Sequence, residues 1–88
     1  MFFVRTFEYK ICDPVGIHAR PAGLLVKEAA KFQSDIIMHL GDKCADCKKI
    51  FGVMTLGVKS GDTVRLEITG ADENTAADEL EGFFKDNL

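Results

Sequence analysis

The spacing of apolar residues changes repeatedly along the chain, and these changes constrain its fold more than any other sequence feature. Four segments are predicted as strands. In three of them apolar residues alternate with polar ones, and the fourth, residues 43–46, directly follows a turn signal and could pair with the preceding strand. These segments are residues 3–11, 35–40, 43–46 and 63–69. Three helices are predicted where apolar residues recur every three or four positions, beginning near Ala19, Ile50 and Ala76.

The resulting order is β-α-β-β-α-β-α in 88 residues, which is the length of a single domain. Val64, Leu66 and Ile68 alternate with polar residues, as in an antiparallel sheet that has one face in water. We therefore expect residues 1–88 to form one α+β domain. It would be an open-faced two-layer sandwich, in which three helices cover one face of a four-stranded antiparallel sheet.

The composition fits a globular protein, with 47% hydrophobic and 28% charged residues. A net charge of −3 disfavours binding to nucleic acid through bulk positive charge. No stretch approaches the roughly 20 apolar residues of a membrane span, and the start, MFFVRTFEYK, lacks the apolar run of a signal peptide. We expect a cytoplasmic protein without membrane insertion, and we take a monomer as the default.

The stretch V-G-I-H-A-R-P-A-G-L-L, residues 15–25, places basic residues where a loop becomes a helix. If Ala19 is the first helical residue, His18 is the N-cap. The amides of Ala19 and Arg20 then have no acceptor inside the helix. They carry the positive end of the helix dipole, which makes an anion site. Pro21 lacks an N–H, but it lies in the first turn, where that loss costs little.

The residue types at this point suit phosphoryl transfer. A neutral imidazole such as that of His18 is a nucleophile near pH 7, and the Arg20 guanidinium is a planar fork that matches phosphate oxygens. Gly16 permits a sharp approach of the loop and keeps bulk away from the site. A histidine before a helix is, however, more often a weak cap or a surface residue. We expect that simpler role for His39, on the polar side of its predicted strand.

Two separated motifs connect this chain with a known family. G-I-H-A-R-P-A, residues 16–22, and K-K-I-F-G-V-M-T-L-G-V-K-S-G-D, residues 48–62, resemble the HPr phosphocarriers of the bacterial sugar phosphotransferase system. G-A-D-E-N, residues 70–74, is also placed as in that family. The resemblance covers nearly the whole chain, and the order of elements predicted above is the family's order.

The resemblance implies specific roles. His18 would be phosphorylated on Nδ1, and Arg20 would contact the phosphoryl group. Enzyme I, charged by phosphoenolpyruvate, would be the donor, and enzyme IIA domains of sugar permeases would be the acceptors. The protein would then be a phosphocarrier without a cofactor and not an enzyme, and it would take part in a transferase-like step only together with its partners.

The resemblance also implies a docking surface beside the histidine. Its apolar members would be Ile50, Phe51 and Met54, although all three could instead belong to the core. Phe51 is expected to be exposed, because it falls between the inward positions Ile50 and Val53–Met54. Gly23 lies one turn from the histidine, and a basic rim could come from three residues. These are Arg20, Lys27 and Lys49.

The sequence departs from many members of Gram-positive type at the start of the second helix. Those members carry a regulatory serine where this chain has Lys49. A lysine cannot be phosphorylated by the same kinase, so we expect no serine switch. Because lysine is also a poor N-cap, Asp46 is expected to cap this helix one turn earlier.

Cys44-Ala45-Asp46-Cys47 is a C-x-x-C pair. Two cysteines are a weak metal signal, because structural zinc requires four ligands. Cys12 and His39 could in principle complete such a set, but no metal site is predicted. A redox role would be favoured if a helix N-terminus lowered the pKa of Cys47. Ordinary thiols are the preferred interpretation. Two rivals to a sugar phosphocarrier therefore stay open: a regulatory or nitrogen-related relay on the same fold, and a thiol-based redox or metal protein.

Overall fold

The structure, a computed structural model of the chain, describes residues 4–88. The predicted order β-α-β-β-α-β-α is confirmed. The strands are β1 (Arg5–Lys10), β2 (Asp35–Leu40), β3 (Lys43–Asp46) and β4 (Thr63–Thr69). The helices are α1 (Ala19–Ala29), α2 (Ile50–Thr55) and α3 (Glu73–Asn87). Phe3, the predicted first inward residue of β1, lies outside the described residues.

The strands form one antiparallel sheet in the order β1-β4-β2-β3. The last strand in the chain, β4, therefore lies inside the sheet, between β1 and β2. Its side chains Val64, Leu66 and Ile68 are fully buried, whereas Thr63 and Arg65 are exposed. The clean alternation in the sequence thus corresponds to one face in the core and one face in water, as expected.

The helices cover the apolar face of the sheet and complete the core. Leu25 of α1, Val53 of α2 and Leu80 of α3 are fully buried. Phe84 of α3 makes edge-to-face contacts with Phe7 and Tyr9 of β1, at centroid distances of 5.8 and 5.6 Å. Burial of each such large apolar side chain contributes about 1.5–3 kcal/mol relative to exposure. None of the helices within residues 4–88 has the length and apolar composition that a membrane span requires.

The polar face of the sheet holds His39, which is less solvated than expected. The side chain of His39 is 23% exposed, and its Nε2 lies 2.9 Å from Oε1 of Glu67. The two residues belong to adjacent strands, β2 and β4, so the sheet itself brings them together. His39 is therefore part of a cross-strand polar pair.

Asp72 precedes α3 and ties its start to the loop after α1. As the N-cap residue, its side chain makes no capping bond to its own helix within the described chain. Its carboxylate accepts bonds from the amides of Gln33 and Ser34, each at 2.9 Å, and from the Ser34 hydroxyl at 2.5 Å. These bonds hold the pKa of Asp72 below its ordinary value, and the bond from the Ser34 hydroxyl makes the largest contribution.

The cysteines lie in different environments. Cys12 and Cys44 are exposed, whereas Cys47 is fully buried. Burial, assisted by the nearby Asp46 charge, raises the pKa of the Cys47 thiol to about 12. The suggestion that a helix N-terminus lowers this pKa is therefore wrong. Residues 4–88 also contain no group of three or more histidine, cysteine or acidic side chains arranged to hold a metal ion.

The stability that Asp72 provides should disappear in acid. Its folded-state pKa lies below the unfolded value of about 3.9, so the contribution is complete above that value. It is lost as the pH falls through the folded value. Urea unfolding of the wild type should show this loss below about pH 4, and Asp72→Asn should lack it.

Asp42→Asn is the matched control, because Asp42 is an exposed carboxylate in the turn between β2 and β3. It should keep the pH dependence of the wild type. An Asp72→Asn curve parallel to the wild-type curve would contradict the assigned role.

Alkylation should distinguish Cys47 from the other two thiols. Only a thiolate reacts rapidly with iodoacetamide, and at pH 8 a buried thiol with a pKa of about 12 stays protonated. Mass spectrometry of the native protein should show label on Cys12 and Cys44, with the third site labelled only in urea. Equal labelling of Cys47 and Cys44 in the native protein would contradict the buried position of Cys47.

Candidate functional site

The candidate site is built on the first turn of α1. The helix begins at Ala19, as predicted, and His18 is its N-cap in an extended conformation, with φ −105° and ψ −171°. The backbone oxygen of His18 accepts a bond from the Ala22 amide at 2.9 Å, which opens the helical ladder. The imidazole is exposed, and in the described part of the chain it makes no capping bond.

The amides that follow His18 are open to an incoming anion. No oxygen within residues 4–88 accepts a bond from the amide of Ala19 or Arg20. Pro21, the third helical residue, has no N–H to satisfy. The first turn also contains no acidic residue that would oppose a bound anion. The positive end of α1 therefore faces solvent beside the imidazole.

His18 and Arg20 line the same cleft, which has a volume of about 300 Å³. It is also lined by residues from both ends of the chain, and its full lining is Asp13, His18, Arg20, Pro21, Leu24 and Asn87. Sequence reasoning missed Asp13, Leu24 and Asn87. Leu24 could have been found, since it is an apolar residue outside the buried stripe of α1. Asn87 could not, because only the packing of α3 brings it here.

The loop before His18 runs against the segment that follows α2. Gly16 has φ +79°, and its amide donates to the Asp13 oxygen at 3.0 Å. The next amide, that of Ile17, donates to the Val58 oxygen at 3.1 Å. A Cβ atom on Gly16 would lie 2.5 Å from the same Val58 oxygen. Glycine is therefore required here both by the backbone angle and by the close approach of the two segments.

The predicted docking surface, comprising Gly23, Lys27, Lys49, Ile50, Phe51 and Met54, lies where α1 meets α2. Phe51 is 81% exposed, as expected for a position between inward residues. Met54 is 41% exposed, so its assignment to the inward side is wrong. Ile50 is half-buried against the core, and its Cδ1 is 3.8 Å from the position of a Cβ on Gly23.

The basic members of this surface on α1 and α2 are accessible to solvent. Lys27 and Lys49 are both exposed.

Helix α2 starts later than a cap at Asp46 would require, because its N-cap is Lys49. The Asp46 carboxylate accepts a bond from the Lys48 amide at 2.9 Å, before the helix begins. Asp46 thus closes a turn ahead of α2, and its predicted role as the helix cap is wrong.

Alanine at Gly16 should destabilise the protein more than alanine at Gly61. Both glycines have positive φ, but an added Cβ at Gly61 would meet no atom within 4 Å. Gly61→Ala should cost about 1–2 kcal/mol through backbone strain alone. Gly16→Ala should cost at least about 1 kcal/mol more, since the Cβ must also displace the Val58–Lys59 backbone. Urea unfolding measures both, and equal losses would contradict the close approach.

The sequence matches a known family over nearly all of its length. The family model described as "PTS HPr component phosphorylation site" matches residues 5–86. Among curated relatives, the phosphocarrier protein HPr of Lysinibacillus sphaericus is 42% identical over 77 residues, which cover 88% of each chain. HPr of Buchnera aphidicola is 41% identical over 76 residues, covering 86% of this chain and 89% of that one.

The fold points to the same family. The structure of the histidine-containing phosphocarrier protein of Mycoplasma has a TM-score of 0.90 against this chain, with 35% identity and 93% of each chain covered. These similarities agree with two earlier observations, which are the order of elements predicted from periodicity and the position of a histidine at an open helix end. All of them indicate the same family. The chain belongs to the HPr family, whose members are phosphocarrier proteins and not enzymes.

Proposed function

We propose that the chain accepts a phosphoryl group from phospho-enzyme I on Nδ1 of His18 and passes it to enzyme IIA domains of sugar permeases. The observation that carries this proposal is the exposed His18 imidazole at a helix end whose first amides have no protein acceptor. Arg20 lines the same cleft. Membership of the HPr family supports the proposal independently.

The helix end would stabilise the phosphorylated form. At many helix starts, an oxygen on the N-cap side chain accepts a bond from the second or third helical amide. Phosphorylation of His18 would supply such oxygens, because the phosphoryl group extends the N-cap side chain. The third residue is Pro21, so the amides of Ala19 and Arg20 are the available donors. New negative charge would thus lie at the positive end of α1.

Arg20 would act on the transferring group itself. In the forward step, the lone pair of Nδ1 forms the new N–P bond while the bond between the phosphorus and the donor breaks, and the donor group leaves with that electron pair. The phosphoryl oxygens carry the spread charge of the transition state, which the Arg20 guanidinium would stabilise through paired hydrogen bonds. Gly16 would contribute by keeping the preceding loop close and the approach open.

The docking surface would meet donor and acceptor in turn, since both must reach the same imidazole. Phe51 and Met54 supply exposed apolar contacts, and methionine adapts to differently shaped partners. Arg20, Lys27 and Lys49 would form the basic rim for acidic partners. Ile50 and Gly23 would support this surface from the contact between α1 and α2. We place the protein in the cytoplasm, as a single-domain monomer over residues 1–88.

Phosphorylation by enzyme I and labelled phosphoenolpyruvate should mark His18 alone. The chain has two histidines, which makes His39→Ala a matched control. His18→Ala should take up no acid-labile, alkali-stable label, while His39→Ala should be labelled like the wild type. An unlabelled wild type would reject the proposed function, and label surviving in His18→Ala would reject the site.

The same assay should separate chemistry from folding at Arg20. Arg20→Gln should slow transfer by roughly 10²-fold, the order found when one preorganised donor is removed from a developing negative charge. Its midpoint in urea should stay close to that of the wild type, because Arg20 is exposed. A parallel loss of stability and transfer would identify a structural arginine instead.

Lys49 should make the chain insensitive to the serine kinase of this system. Neither Thr55 nor Ser60 occupies the matching position at the start of α2. The wild type should gain no phosphate from ATP and that kinase, whereas Lys49→Ser should gain one on the new hydroxyl, as read by mass. Phosphorylation of the wild type would overturn the prediction that the chain lacks a serine switch.

A further inference from the structure

The end of α3 holds the loop that leads to His18. The backbone oxygen of Leu88 accepts bonds from the amides of Cys12 and Asp13, at 2.6 and 2.8 Å. The Leu88 amide continues the helical ladder to the Phe84 oxygen at 2.8 Å. Leu88 as a residue is 4% exposed, and it belongs to the core cluster. A buried leucine thus fixes the position of an oxygen that binds the beginning of the loop.

The bonds continue from this point towards the histidine. Oδ1 of Asp13 accepts from the Val15 amide at 2.8 Å, and the Asp13 oxygen accepts from the Gly16 amide. Ile17, the residue directly before His18, is bound to the Val58 oxygen. The loop is therefore anchored at both ends, by Leu88 at its beginning and by Val58 next to the histidine.

We propose that Leu88 is a positioning residue for phosphoryl transfer, acting through the Cys12–Asp13 backbone on the placement of His18. The inference rests on the proposed function. Leu88 does not line the cleft, so it would contact neither the phosphoryl group nor a partner there. A displacement of about 1 Å at the reacting atoms can cost roughly 10²-fold in rate, so a looser anchor would reduce transfer.

Leu88→Ala tests this role against Leu80→Ala, which removes an equally buried leucine from the middle of α3. Each variant is used as the substrate of enzyme I, and rates are corrected for the folded fraction by circular dichroism. Leu88→Ala should lower kcat roughly tenfold with an unchanged KM, since the docking surface on α1 and α2 is intact. Leu80→Ala should transfer at the wild-type rate. Leu88→Met, which preserves the side-chain volume, should keep a kcat close to that of the wild type.

Amide hydrogen exchange gives a reading that does not depend on transfer. The amides of Cys12 and Asp13 should be protected in the wild type and in Leu80→Ala, and should exchange at least tenfold faster in Leu88→Ala. If Leu88→Ala folds too poorly for kinetics, Leu88→Val replaces it in both measurements. Equal kcat in the Leu88 and Leu80 variants, a change confined to KM, or unchanged exchange would each overturn the positioning role. An unlabelled wild type would instead reject the proposed function.

Discussion

The burial of one face of β4 is the constraint on which the remaining structure depends. Val64, Leu66 and Ile68 are fully buried in a strand that has a neighbour on either side, β1 and β2. A register slip of one residue would turn Arg65 and Glu67 towards the core, so the pairing is strongly specified. Once that face is set, the other strands must present their apolar sides to the same layer. The amphipathic helices then have one surface on which to pack.

The site follows from this layer because the buried stripe of α1 fixes where its first turn ends up. Leu25 and Ala29 hold the helix on the core, while His18 and Arg20 at its start remain exposed. The preceding loop is held by backbone bonds rather than by side-chain packing alone. Gly16 permits the close approach to Val58 that makes one of these bonds possible. A rigid scaffold thus presents an accessible helix end, which is the arrangement that anion binding needs.

Helix α2 contributes differently from the other helices. Of its six residues, Val53 is the fully buried anchor, while Phe51 and Met54 face water. Exposed apolar side chains of this size are unfavourable in an isolated molecule and typical of contact surfaces. In the proposed relay, this surface and the phosphoryl-accepting histidine would be presented together, because α1 and α2 pack against each other, with Ile50 close to Gly23. A partner that docks on one therefore approaches the other.

The order of the elements, the start of α1 at Ala19 and the exposure of Phe51 could be predicted from the sequence. These depend on spacing along a short segment, and the periods of strands and helices are local properties. The inward placement of Met54 and the capping role of Asp46 were predicted wrongly, because both depend on how a six-residue helix packs against β3 and α1. Only the tertiary structure brings Asn87 into the cleft with His18 and Leu88 onto the loop. Those contacts join opposite ends of the chain, and no local pattern records which distant backbone oxygen an amide will find.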